Sequence, residues 1–341
     1  MRAAGALEAL RPEPHRGDQV AAGVVVLATF IYVLETRFGH AWGPGIRLVI
    51  DAAATFFAGA LAVQSPVEGE RPRAYQSILY VATFFLALAL LKNLADVLGA
   101  NNPISAAGTI VWVGLVLMVL CVWFSARRNS AIMTLLGAIS FALVVEAFVD
   151  WVFSPNGVST FRWILLLLIG AFALASLNQR GPRPRHGVQL VNAAGLAAIV
   201  LGLTFALELV FSGLASVLGG AAAGSHGAGT GWELFLLACG FGLIAYAAVD
   251  REAGPAYLGV IVLALFVAIA APRSASGASL IGWPIVLLLM AGAMLVVGLR
   301  PSRPLPPPPD AGAPPPPPPT PLAEPPTTPL GGDDTTEIHR P

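Results

Sequence analysis

The chain has 341 residues, 56% hydrophobic and 11% charged, with 19 Lys and Arg balanced by 19 Asp and Glu. A water-soluble fold would leave too much of that apolar surface exposed, and zero net charge leaves no nucleic-acid footprint, so the composition places the protein in a membrane. The apolar runs reach the ~17–25 residues that one helix needs to cross a bilayer, whereas barrel strands would be about ten residues long and alternating, so the class is all-α: a polytopic transmembrane helix bundle.

The first 19 residues mix Arg2, Arg11 and Arg16 with Glu8, Glu13 and Asp18 and precede no compact signal-peptide core. They read as a cytoplasmic segment ahead of an uncleaved first span. Spans are predicted at 20–36, 46–64, 76–92, 104–124, 131–153, 161–177, 188–215, 232–249, 255–272 and 279–298. Together they form a transmembrane domain over 20–299 of about ten helices. The stretches Leu91–Leu98 and Ser212–Gly219 are the two places where a helix can run past the bilayer. Cys121 and Cys239 both fall inside spans, so neither a disulfide framework nor a thiolate metal site is predicted.

Orientation follows from Lys and Arg, which are retained on the cytoplasmic side. With the N-terminus inside, 14 of the 19 fall in inner segments, including the clusters SARRNS and NQRGPRPRHG, and both termini are predicted to be cytoplasmic. Glu35, Asp51, Asp96, Glu146, Asp150, Glu208 and Glu233 then all lie in the outer half of spans or at their outer ends. Within FALVVEAFVDWVF, Glu146 and Asp150 lie one turn apart on one helix face, and Thr204, Glu208 and Ser212 repeat at the same interval on the seventh span. A carboxylate facing lipid at the bilayer centre costs about 2.5–3.5 kcal/mol, so these groups must face protein or water. Arg162 and Arg47 are the cations near enough in sequence to pair with them. Two readings stay open: an outward acidic cavity that binds a cation or relays protons, built from Glu146, Asp150, Thr204, Glu208, Ser212 and Arg162, or a set of pairs such as Glu146 with Arg162 that fixes helix register.

The outer histidines His40 and His226 lack any metal-ligand spacing and read as solvated loop residues. Ala238, Gly242 and Tyr246 recur every fourth residue on the eighth span, which predicts close helix packing. Pro284 sits in the first turns of the last span, where a missing donor costs little. From residue 300 the chain becomes a disordered, proline-rich cytoplasmic tail, RPLPPPP followed by six more prolines at 314–319. Polyproline II at about 3.1 Å per residue would carry it far from the bilayer. Arg303, Pro306 and Pro309 fit the basic-x-x-P-x-x-P pattern that proline-binding domains dock, which makes a protein partner the alternative to a solvated spacer. Nucleotide-binding, hydrolase-elbow and zinc-protease motifs are absent, so neither an enzyme nor a cofactor is predicted.

The segment GWELFLLACGFGLIAYAAVDREAGPAYLG, continued by SLIGWPIVLLL, resembles an uncharacterised group of polytopic membrane proteins from GC-rich bacteria, over the last three spans only. The resemblance implies a bacterial inner membrane and no activity. Ten spans are also similar in number to the drug/metabolite transporters, whose two five-helix halves would meet here near Ser154–Thr160, although no internal repeat accompanies the count. The sequence therefore predicts a cation- or proton-linked carrier of a small solute, with a membrane scaffold presenting its proline-rich tail to a protein partner as the alternative.

Overall fold

The computed structural model describes residues 16–38, 41–69, 73–100, 102–103, 105–155, 157–217 and 228–270. Every described element is a helix: α1 (Gly17–Phe38), α2 (Pro44–Gln64), α3 (Ala74–Val97), α4 (Ala107–Arg128), α5 (Ala131–Phe153), α6 (Val158–Gln179), α7 (Pro184–Val217), α8 (Thr230–Asp250) and α9 (Ala253–Ala270). They correspond one for one to the first nine predicted spans. The tenth span, its Pro284, the tail with Arg303, Pro306 and Pro309, and both His40 and His226 lie outside the described residues.

All nine helices are long and apolar enough to cross a bilayer. Between a fifth and a half of each span is buried inside the protein. The remainder is a belt of exposed apolar side chains such as Phe56, Leu167 and Leu174. That belt suits lipid as its solvent, and helices suit it because they satisfy their own backbone polar groups. The turns carry local signals. Pro44 starts α2 where no intrahelical donor is needed. Asn129 ends α4 with φ 54°, which lets α5 begin two residues later. Gly157, with φ 104°, makes the equally tight entry to α6.

Packing follows chain order. The hairpin pairs α2/α3, α4/α5, α6/α7 and α8/α9 make the closest contacts, and α1/α3, α3/α5, α5/α7 and α7/α9 also touch. The odd-numbered helices thus form one continuous row. They run in the same direction, because Gly17 at the start of α1 lies against Tyr75 at the start of α3, and Thr134 near the start of α5 meets His186 near the start of α7. Each even-numbered helix returns over the groove between its two odd neighbours.

Glycines set several of these distances. A Cβ on Gly114 would lie 2.5 Å from Val144 Cγ2 across the α4/α5 contact. A Cβ on Gly259 would lie 2.7 Å from the Gly240 carbonyl oxygen across the α8/α9 contact. The small residue that α8 uses is therefore Gly240. The predicted stripe is offset from it, since Gly242 has open space beside it and Ala238 is exposed.

The end where the odd helices begin carries Arg73, Arg127, Arg128, Arg183 and Arg185 and is termed the basic face; the opposite end is the acidic face. Helix α7, with 34 residues, is about 50 Å long and outruns a hydrocarbon core of ~30 Å.

Candidate functional site

Polar side chains gather in four places within this apolar body. The first lies near the acidic face between α1, α2 and α3. Asp51 is the eighth residue of α2 and so lies about 10 Å along it; Glu35 and Asn93 are about 5 Å from the far ends of α1 and α3. Asp51 and Asn93 are fully buried, both at 0% exposure. Asn93 Nδ2 donates to Asp51 Oδ2 at 2.5 Å and to Glu35 Oε1. The amide has to face this way, because the reverse orientation would set its oxygen against two carboxylates. Both of its hydrogens are thereby used. Lys92 Nζ stands 4.0 Å from Glu35 Oε2. Asp51 Oδ1 and Asn93 Oδ1 remain buried with no hydrogen-bond partner. The cluster has acceptors to spare, and Asn93 has no hydrogen left to give them.

The second place is between α6 and α7. Arg162 Nε donates to Thr204 Oγ1 at 3.0 Å, and its Nη2 donates to the Thr204 carbonyl at 3.2 Å and to Glu208 Oε2 at 2.5 Å. Its guanidinium lies 3.7 Å from the centre of the Phe205 ring. Three of the predicted residues thus meet, with Arg162 paired to Glu208 and not to Glu146. Ser212 does not join them, since its hydroxyl turns back to the Leu209 carbonyl of its own helix.

Glu146 and Asp150 form the third place. They line a cavity of about 300 Å³ together with Leu143, Thr160, Phe161 and Ile164 from α5 and α6. Glu146 Oε1 is buried without a partner, and among the described residues neither acid is in an ion pair. Helix α6 separates this pair from the Arg162–Glu208 set, giving Thr160, Phe161 and Ile164 to the cavity and Arg162 to α7. The two polar stripes therefore occupy adjoining sites and do not converge on one.

The fourth place is a knot at the basic face. Glu68, in the α2/α3 loop, accepts from Ser130 Oγ at 3.0 Å, from Ala131 N at 3.4 Å and from Arg185 Nη2 at 2.9 Å. It caps the free donors at the start of α5, which are buried, and ties them to the start of α7. Beside it, His186 bonds Asn129 Oδ1 at 3.0 Å through Nε2 and Thr134 Oγ1 at 2.5 Å through Nδ1. Each ionised or aromatic partner here is satisfied, as expected of structural hardware.

Of these, sequence reasoning located Glu146, Asp150, Arg162, Thr204 and Glu208, but it missed Asn93 as a bridge and Glu68 as a knot. The signal for Asn93 was present: an amide within LLKNLAD, four residues from the end of an otherwise apolar helix. Two further cavities, of about 440 Å³ among α4 to α7 and about 520 Å³ beside α1 and α3, are lined mainly by apolar side chains. Among the described residues, no three His, Cys, Asp or Glu side chains come together to hold a metal ion, and both cysteines are free thiols.

Nine apolar helices among the described residues and an exposed apolar belt define an integral membrane protein of the polytopic α-helical class. No protein-family model, curated protein or solved structure matches the chain, so its function has to be read from its own residues.

Proposed function

We propose that the protein is a cation- or proton-linked carrier of a small solute, placed in a bacterial cytoplasmic membrane with both termini inside. One observation carries the reading: Glu146 and Asp150 line a cavity at the acidic face, and among the described residues no cation forms an ion pair with either. An ionised residue within a membrane helix is expensive to keep and is a candidate for function by default. A structural pair would have brought its own counter-ion, as Glu208 does with Arg162. The cavity volume suits a small solute or a hydrated cation, and the neighbouring Thr160 offers a hydroxyl for orienting it.

The test is uptake into liposomes holding the purified protein, supplied with the small molecules of a deproteinised bacterial extract and followed by mass spectrometry of the lumen. Asp150→Asn is expected to abolish uptake of the transported solute while leaving the unfolding midpoint in detergent unchanged, and deletion of residues 301–341 is expected to leave uptake intact. Uptake indifferent to Asp150 and Glu146, with cellular function lost on deleting the tail, would replace the carrier by a scaffold.

A further inference from the structure

We infer that Glu35, Asp51 and Asn93 hold one exchangeable proton, and that this cluster is where the carrier proposed above takes up its coupling ion. The coupling role rests on the carrier reading; the proton site itself does not.

The argument begins with hydrogen-bond bookkeeping. Asn93 has two amide hydrogens, and both are spent, one on each acid. Asp51 Oδ1 and Asn93 Oδ1 are then buried acceptors with nothing to accept from. An unpaired buried polar atom costs as much as a lost hydrogen bond or more, so a fully buried side chain left in this state points to a missing donor. A proton on Asp51 Oδ1 is the smallest species that supplies one.

Charge leads to the same stoichiometry. The groups facing Asp51 from the two helices packed on α2 are Glu35 of α1 and Lys92 and Asn93 of α3. With both acids ionised and Lys92 charged, the cluster carries one net negative charge within the hydrocarbon depth, and one proton neutralises it. Three further charged groups lie at this end of α1 to α3. Arg37 is two residues beyond Glu35 on α1, Arg47 is one turn nearer the acidic face on α2, its Nε buried and unpartnered, and Asp96 is one turn beyond Lys92 on α3. None of them forms an ion pair with Asp51. Thr55, one turn deeper on α2, adds a buried hydroxyl oxygen that also has no partner.

A metal cation fits less well. It would need oxygens from both acids turned toward it, and Asn93 already presents hydrogens to one oxygen of each. Among the described residues there is also no third His, Cys, Asp or Glu to complete a ligand set. Binding therefore amounts to forming the O–H bond at Asp51 Oδ1 with a proton from water at the acidic face. Release is the reverse, with no change of oxidation state. Asn93 is a positioning residue that holds the two acids on one donor, so a proton taken by one alters the hydrogen bond to the other.

Infrared difference spectroscopy on the full chain in phosphatidylcholine liposomes tests the site, with pH stepped upward. Wild type is expected to show a buried carboxylic C=O band that disappears at high pH and shifts in D2O. In Asp51→Asn, whose amide supplies the missing donor in place of the proton, that band is absent and the protein remains folded. In Glu35→Gln the band persists at a shifted frequency, which keeps the test available if the first variant fails to fold. A band unchanged in both variants overturns the proposal. So does a wild-type band removed by adding NaCl at constant pH, which would make the ligand a metal cation. If the band behaves as expected but no solute enters liposomes, the carrier reading fails and the proton site stands.

Discussion

Replacing Arg185 by Met keeps an unbranched apolar stem and removes the charge that faces Glu68. The side chains of Glu68 and Arg185 are 1% and 27% exposed, and their polar atoms are 2.9 Å apart. Removing one partner of a buried pair leaves an uncompensated charge and costs about 3–5 kcal/mol. Ser130 Oγ and Ala131 N would still donate to the carboxylate, which puts the expectation at the lower end, about 3 kcal/mol. Arg180 supplies the internal control on the same face. It pairs with Asp250, but Arg180 is 48% exposed, and exposed pairs contribute about 0–1 kcal/mol. Equilibrium unfolding in mixed micelles, followed by tryptophan fluorescence, gives both differences on one scale. Arg185→Met should cost at least about three times as much as Arg180→Met. Adding Glu68→Gln to Arg185→Met should recover about 1–2 kcal/mol, because a neutral amide no longer needs the cation. Equal costs for the two arginines, or no recovery in the double variant, would refute the reading of Glu68 as the knot that joins α5 and α7.

Three further outcomes follow from particular contacts. Arg162→Met is expected to destabilise by about 2–4 kcal/mol, since it loses two bonds to Thr204 and the stack on Phe205, whereas Glu208→Gln, at a side chain 53% exposed, should cost at most about 1 kcal/mol in the same assay. Gly259→Val should cost at least about 1–3 kcal/mol by forcing α8 and α9 apart, while Gly242→Val, which meets open space, stays within about 0.5 kcal/mol; equal effects would place the α8/α9 contact elsewhere. In a cysteine-free background, Val158→Cys is expected to react with a membrane-impermeant maleimide on intact cells and Gly181→Cys only after permeabilisation. The opposite pattern would invert the proposed orientation.

What the sequence made legible was set by length and polarity. Nine apolar runs became nine helices because a run of about 20 apolar residues in lipid has no other way to satisfy its backbone. Helix α3 runs to Val97, past the predicted span end at 92, within the Leu91–Leu98 stretch expected to let a helix outrun the bilayer, and Lys92 and Asn93 find partners across the bundle there. Partner choice was the harder matter. Arg162 stands 16 residues from Glu146 and 46 from Glu208, and only the packing of α6 on α7 decides for Glu208. The small-residue stripe of α8 was read with the right spacing on the wrong face, because Gly240 and Gly242 differ in nothing but the neighbour that α9 brings. Glu68 stands in a short loop, and only the packing of the start of α7 against that loop gives it its partner. The row of odd-numbered helices was invisible for the same reason: it is a property of which faces meet, and helices apolar on most sides do not announce that choice.

The most direct test of the carrier account measures lumenal pH and lumenal solute together. Sealed liposomes holding the protein and a pH-sensitive dye are supplied from outside with a deproteinised bacterial extract. The account predicts that at least one small solute enters, that protons move with it, and that Asp150→Asn abolishes both, while Asp51→Asn abolishes the proton movement in particular. Lumenal contents indistinguishable from those of protein-free liposomes, or solute entry unaffected by Asp150→Asn, would contradict it.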